Sequence, residues 1–311
     1  MTRDDQLWGI DLGGTKIEGV VVGAADPDRV IARTRIPTES VFGYAHIVSR
    51  VRLVVEQLEA ASRMGRPPVL GIGTPGAIEL AAGTLKNSNT TCLNGQPLAR
   101  DLAHALGADV RLANDANCFA LAEATFGAAR GRDVVVGLIL GTGVGGGIVV
   151  HGRVLNGLHG VAGEWGHNPM CGEAAPCYCG RAGCVETVIS GPALERFYES
   201  RSGERLALAE IASRAAYDTA AEATLRRLTD KFGEAIAGVI NILDPDAIVI
   251  GGGVGNITRL YDAVTRDAIR RHLFNPELRT ELLRPTLGDS GGVFGAALLV
   301  AGDGRRETGD G

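Results

Sequence analysis

A short apolar run, a glycine turn and a second apolar run occur twice in this chain, far apart. The first copy is Gly9-Ile-Asp-Leu-Gly-Gly-Thr15, continued by Lys16-Ile-Glu-Gly-Val-Val-Val22. The second is Gly137-Leu-Ile-Leu-Gly-Thr-Gly143, continued by Val144 to Val150. Each copy reads as strand, turn, strand. Asp11 of the first corresponds to Ile139 of the second. Such a pair suggests a duplicated α/β fold with a single acidic site.

Neither turn fits the common nucleotide motifs. Gly141-Thr-Gly-Val-Gly-Gly146 matches G-x-G-x-x-G, but a dinucleotide site needs a helix after the turn, and Ile148 to Val154 continues as strand. Gly9 to Thr15 misses the P-loop, because Lys16 follows Thr15 and a strand comes next. Two readings stay open on spacing alone. The turns are plain hairpins, or their backbone N–H groups face phosphate oxygens.

The remaining pattern alternates strands and helices. Strands are expected over 29–36 and 69–73, the latter ended by Pro75-Gly76. Helices are expected over 47–64 and 98–106. A strand from Val110 ends at Asn114-Asp115 and opens a helix over 116–126. Asn and Asp suit that junction as caps, and capping alone would explain them. Later helices are expected over 191–199, 208–217, 221–243 and 258–272. A strand over 246–250 runs into Gly251-Gly252-Gly253. The last helix covers 292–301, and a polar tail, 302–311, follows.

Three cysteines, Cys177, Cys179 and Cys184, fall within eight residues. In a cytoplasmic chain that spacing suggests a metal before a disulfide. Zinc takes four N/S ligands, and the nearest histidine is His167, ten residues before Cys177. A Cys3His site follows, with Cys171 as a spare. A full ligand set makes the zinc structural. Cys92 and Cys118 read as buried thiols. Glu164 and Glu186 flank the cysteines, so the metal would pin two carboxylates suited to vicinal hydroxyls. An isolated glutamate of this kind is more often a solvated surface residue.

Composition narrows the class. Of 311 residues, 45% are hydrophobic and 22% charged, with net charge −5. The basic residues are scattered, which argues against a nucleic-acid or membrane surface. No secretory pattern opens the chain and no apolar run reaches the length of a membrane span, so a cytoplasmic protein is expected.

On these residues the chain resembles the ROK family (repressors, open reading frames and kinases), within the actin-like ATPase superfamily. The resemblance runs from about Trp8 to Leu299. It rests on Asp11-Leu-Gly-Gly-Thr-Lys16, Leu112-Ala-Asn-Asp-Ala-Asn117, Gly141-Thr-Gly-Val-Gly145, Glu164-Trp-Gly-His167 and Cys177-x-Cys-Gly-x-x-Gly-Cys-x-Glu186. It implies an actin-like (duplicated ribonuclease H-like) fold of two α/β domains around a cleft. We expect domains at 1–115 and 116–291, with a C-terminal helix near 292–311 packing back on the first.

The resemblance also implies an ATP-dependent hexose 6-phosphotransferase. Asp115 matches the general base. Asn89, Asn114, Asp115, Glu164, His167 and Glu186 match substrate ligands. Asp11, Gly13, Gly14, Thr15, Lys16, Gly141, Thr142, Gly143, Gly251, Gly252 and Gly253 match ATP-binding segments. His167 would serve the zinc with one ring nitrogen and the sugar with its other edge. ATP, Mg²⁺ and a structural zinc are the implied cofactors, and a homodimer the implied assembly. Because the resemblance starts near Trp8, no helix-turn-helix domain is expected ahead of it. Lys86 to Pro97 and Glu164 to Pro169 look most like the bacterial fructokinase branch. N-acetylglucosamine kinases share Asn114 to Ala120 and the Gly141 run almost as well, and a glucokinase or mannokinase of the same family is a further alternative. A non-catalytic sugar sensor and an actin-like assembly protein are rivals, and neither needs an intact Asp115 together with Glu164.

Overall fold

The computed structural model describes residues 6–26, 29–79, 82–288 and 291–301. The polar tail 302–311 lies outside the described residues. Contacts divide the chain into two units. Among the described residues, the first gathers those of Met1–Phe126, Leu155–Ala162 and Leu287–Gly311. The second gathers Gly127–Val154 and Gly163–Thr286.

The first unit opens with β1 (Gln6–Leu12), β2 (Lys16–Gly23) and β3 (Val30–Pro37), then α1 (Tyr44–Ser62) and β4 (Val69–Thr74). Two short strands, β5 (Ala77–Glu79) and β6 (Thr84–Lys86), pair with each other. Next come α2 (Leu98–Leu106), β7 (Asp109–Asn114) and α3 (Asp115–Thr125). The sheet order is β3-β2-β1-β4-β7. β1 to β3 form an antiparallel meander, while β4 and β7 run parallel to β1. β1 and β4 are almost wholly buried, which is why both read as unbroken apolar runs.

The second unit contains β8 (Val134–Leu140), β9 (Val144–Val150), β10 (Arg153–Val154), α4 (Val185–Ile189), α5 (Gly191–Ser202), α6 (Leu208–Arg214) and α7 (Thr219–Leu243). It ends with β11 (Ala247–Gly251), α8 (Gly252–Gly255), α9 (Ala263–Arg270) and β12 (Glu281–Leu283). Its sheet order is β10-β9-β8-β11-β12, with the same mixture of directions. The first hairpin closes at Leu12 opposite Ile17, the second at Leu140 opposite Val144. The repeat expected from the glycine turns is thus a repeat of whole sheets, with Ile139 in the place of Asp11.

The chain then returns to the first unit as α10 (Gly291–Leu298). Glycines let it lie directly on its neighbours. A methyl group at Gly9 would overlap the Val293 carbonyl, and one at Gly71 the Ala296 carbonyl. A methyl at Gly295 would overlap the Cys118 carbonyl on α3. Packed this way, α3 belongs to the first unit, so the division falls after Phe126 rather than after Asp115.

One expected helix is broken. Residues 258–272 form a 3-10 turn, Thr258–Tyr261, and then α9. Asp262 between them is extended, at φ −82° and ψ 168°. The Tyr261 hydroxyl lies 3.0 Å from the Ile250 carbonyl oxygen and 2.8 Å from that of Gly255. That tie to the end of β11 outweighs the helical period. The strands β5, β6, β10 and β12 are two or three residues long and carry no pattern of their own. No helix among the described residues is long and apolar enough to cross a membrane.

The α10 contact makes a testable demand. Gly71→Ala should lower unfolding stability by about 1–3 kcal/mol, the usual cost of overpacking. Urea titration should show an earlier midpoint with an unchanged slope.

Candidate active site and candidate metal centre

In the first unit the parallel strands end together. Asp11 of β1 stands opposite Gly73 of β4, and Thr74 stands opposite Asn114 of β7. The Asp11 carboxyl is walled by positions without side chains. A methyl at Gly73 would lie 3.6 Å from Asp11 Oδ1, and one at Gly292 would lie 3.2 Å from the carboxyl carbon. Burial first, then the nearby Asp115, push the Asp11 carboxyl up to about 6, with Lys16 and Arg35 only partly offsetting them.

Asn114 caps α3. Its backbone is extended, and its Oδ1 accepts from Ala116 N–H at 2.9 Å. Its Nδ2 donates to the Gly76 carbonyl at 3.1 Å. Asp115 is the first residue of the helix and is exposed, although Ala116 to Ala124 behind it are buried. The capping expectation holds, and it leaves the Asp115 carboxyl facing solvent.

The first glycine turn is braced from outside. Thr38, fully buried, donates from Oγ1 to the Gly13 carbonyl at 2.6 Å and from N–H to the Thr15 carbonyl at 3.0 Å. Gly14 and Thr15 remain exposed. Asn89 is exposed on a loop clamped by Asn94, which accepts from Ser88 N–H at 2.8 Å and donates to its carbonyl at 2.9 Å. Sequence reasoning missed Thr38 and Asn94. Thr38 holds backbone 25 residues away and Asn94 closes its own loop, and no local spacing announces either.

In the second unit the Gly141 N–H donates to the Gly143 carbonyl at 2.9 Å, and the Gly191 N–H to the Gly141 carbonyl at 2.8 Å. Thr142 is exposed at the tip. Gly252 is left-handed at φ 82°, and any side chain there would overlap the Leu140 carbonyl. The Gly251-Gly252-Gly253 corner therefore sits beside the turn.

Glu164 and His167 lie on a segment sealed onto β9. Gly163, at φ 94°, would overlap Gly146 if it bore a side chain, and Gly166 would overlap Val144. Trp165 Nε1 donates to the Gly145 carbonyl at 3.2 Å. Burial raises the Glu164 carboxyl above its ordinary value; His167 opposes the rise and Glu186 adds to it. Glu186, on α4, accepts the Val144 N–H at 2.9 Å through Oε2. One oxygen of Glu186 thus braces the glycine turn, a tie the sequence did not signal.

His167, Cys177, Cys179 and Cys184 converge, with one ligand atom of each within 4.8 Å of the others. Cys179 Sγ lies 3.6 Å from Cys184 Sγ, and Cys177 Sγ lies 3.6 Å from His167 Nδ1. Ordinary zinc bond lengths imply tetrahedral edges of about 3.8 Å between sulfurs and about 3.6 Å between sulfur and nitrogen. The donor set fits a closed structural zinc. His167 Nε2 points the other way, 3.0 Å from the Tyr178 hydroxyl and 3.9 Å from a Glu164 oxygen. Cys171 is exposed and outside the group. Cys118 is buried as expected, but Cys92 is only half-buried, because it lies within a 3-10 turn, Thr91–Leu93, at the margin of the core.

Comparison with known proteins agrees with this geometry. The ROK family model matches residues 7–303. An N-acetyl-D-glucosamine kinase from Salmonella paratyphi C is 37% identical over 304 residues, covering 94% of this chain and 98% of that protein. The crystal structure of a ROK hexokinase from Thermus thermophilus is 33% identical, with TM-score 0.84, covering 94% and 97%. A ROK glucokinase from Streptomyces griseus, in complex with glucose and AMPPNP, is 29% identical, with TM-score 0.76, covering 94% and 98%. The chain belongs to the ROK family, among its ATP-dependent sugar kinases, and has the actin-like fold.

Burial of Asp11 predicts a pH-dependent stability. The carboxyl ionises near 3.8 in the unfolded chain and near 6 in the folded one. Between those values the folded chain keeps a proton that the unfolded chain has released, so stability falls as pH rises through that window. The full loss, reached above it, is about 3 kcal/mol. Asp11→Asn should therefore be the more stable protein at about pH 7.5, with the advantage vanishing below about pH 4. Urea unfolding in EDTA, without nucleotide, checks this.

Proposed function

We propose that this kinase phosphorylates the 6-hydroxyl of an N-acetylhexosamine, with N-acetyl-D-glucosamine preferred over fructose. The observation that carries the sugar assignment is the 37% identity, over nearly the whole of both chains, to an N-acetyl-D-glucosamine kinase. The fructokinase-like segments at 86–97 and 164–169 favour fructose as the second reading.

Asp115 is the general base. Its carboxylate takes the proton of the attacking hydroxyl. The hydroxyl oxygen forms a bond to the γ-phosphorus while the bond to the bridging oxygen breaks, leaving ADP. Asn114 sets the position of Asp115 by capping its helix. Asn89, Asn114, Glu164, His167 and Glu186 are the residues assigned to sugar hydroxyls. The Gly13 to Lys16 turn, the Gly141 to Gly143 turn and the Gly251 to Gly253 corner take the nucleotide through backbone N–H groups.

Asp11 is the carboxylate suited to a magnesium ion, directly or through water, since burial beside Asp115 leaves its charge under-compensated. Magnesium, when bound, neutralises charge on the nucleotide phosphates. Zinc would be held by His167, Cys177, Cys179 and Cys184 and would supply a cross-link with no open position. The family resemblance also supports a cytoplasmic homodimer.

Asp115→Asn should reduce kcat by about 10²–10⁴-fold while the sugar KM stays within a few-fold. Near-normal turnover would remove Asp115 from this role. A coupled ADP assay over N-acetylglucosamine, N-acetylmannosamine, glucose, mannose and fructose should give the highest kcat/KM with N-acetylglucosamine. Elemental analysis should find about one zinc per chain. Cys184→Ser should lose the metal and raise the sugar KM, since Glu164 and Glu186 flank the same loop.

A further inference from the structure

The second unit carries a groove of ≈ 830 Å³ lined by α5, the loop before α7 and the first turns of α7. That volume suits a small molecule. None of the residues given a role above lines it.

Its acidic residues are already engaged. Glu222 receives both terminal nitrogens of Arg259 at 2.9 and 2.7 Å. Asp230 accepts from Arg271 at 2.7 Å. Asp218 caps α7 through Ala220 and Ala221 N–H and accepts from the Tyr198 hydroxyl at 2.7 Å. Arg259 and Arg271 lie outside the lining.

The cations are differently placed. Arg201 forms no ion pair among the described residues, and its guanidinium lies 5.3 Å from the centre of the Phe197 ring. Arg226 approaches only Glu222, at 3.9 Å. Arg227 stacks on the same Phe197 ring at 4.9 Å. One aromatic ring thus orients two guanidinium groups, and Tyr217 adds an exposed ring to the wall. Planar guanidinium forks match phosphate oxygens, and a ring face suits a carbon skeleton.

We propose that this groove is a second binding site, for the phosphomonoester of a small sugar, with Arg201 and Arg226 on the phosphate and Tyr217 against the sugar body. Its occupancy reaches the cysteine loop. Arg227 and Lys231 hold Glu173 at 2.8 and 3.4 Å, and Glu173 lies between Cys171 and Cys177. The Glu173 carbonyl packs against Gly183, next to Cys184. A phosphate held by Arg201 and Arg226 also draws on Arg227 and Lys231 of the same lining, which loosens that loop and weakens the hold of Glu164 and Glu186 on substrate. The binding part is independent of the kinase reading, while the effect on substrate rests on it.

Calorimetry with the full chain and glucose 6-phosphate, without nucleotide, tests the binding part. The wild type should bind. The double variant Arg201→Ala/Arg226→Ala alters only exposed side chains. It should fold normally by circular dichroism, keep its kcat, and bind about tenfold more weakly or worse. Inorganic phosphate should bind more weakly than the sugar phosphate. No heat from the wild type, equal binding by the variant, or equal binding of inorganic phosphate would overturn the site. In the kinase assay, glucose 6-phosphate should raise the sugar KM of the wild type more than that of the variant. An equal rise in both proteins would place the probe in the substrate site and end the coupling.

Discussion

Burying the Asp11 carboxyl beside Asp115 costs folding stability, and much of the first unit is arranged to make that burial possible. Asp11 sits near the end of a central strand, paired with Glu18 of β2 and Gly73 of β4, with backbone of α10 close by at Gly292. A side chain at Gly292 would crowd the carboxyl, at 3.2 Å, and one at Gly73 would touch it at 3.6 Å. The same close approach continues down α10, through Gly9, Gly71 and Gly295. Stability lost at one carboxylate is thus offset by backbone packing along the adjoining helix.

The second unit lacks that carboxylate and is organised around a different constraint. Ile139 replaces Asp11, and the acidic groups come instead from Glu164 and Glu186. Both are tied to the glycine turn that follows β8: Glu186 through the Val144 N–H, and Glu164 through the glycines and tryptophan that seal its segment onto β9. A duplicated sheet has therefore diverged into one half with an acid on its own strand and one half whose acids come from outside the sheet, Glu164 before a 3-10 turn and Glu186 on α4. The cysteine cluster lies in a stretch with little regular structure, and a metal bound there would replace the packing that a helix or strand provides.

Charge is managed with the same economy in the groove beside α7. Acidic residues there are neutralised by arginines from other elements, which leaves the arginines of the groove itself oriented by an aromatic ring. Glu173 is the exception, since it draws Arg227 and Lys231 toward the cysteine loop and so connects two features that are remote in sequence.

The amino-acid sequence by itself determined the duplicated strand-turn-strand units, the cap at Asn114-Asp115 and the grouping of His167 with Cys177, Cys179 and Cys184. Those features rest on local backbone needs: alternation, glycine at turns, and ligands closely spaced along the chain. Tertiary structure alone decided the rest. It broke the helix expected over 258–272 through Tyr261, added strands too short to show a period, and recruited Thr38, Asn94 and one oxygen of Glu186 to hold backbone of other segments. Thr38 and Glu186 reach across 25 and 42 residues, and such partners are chosen by packing, which no spacing in the sequence records.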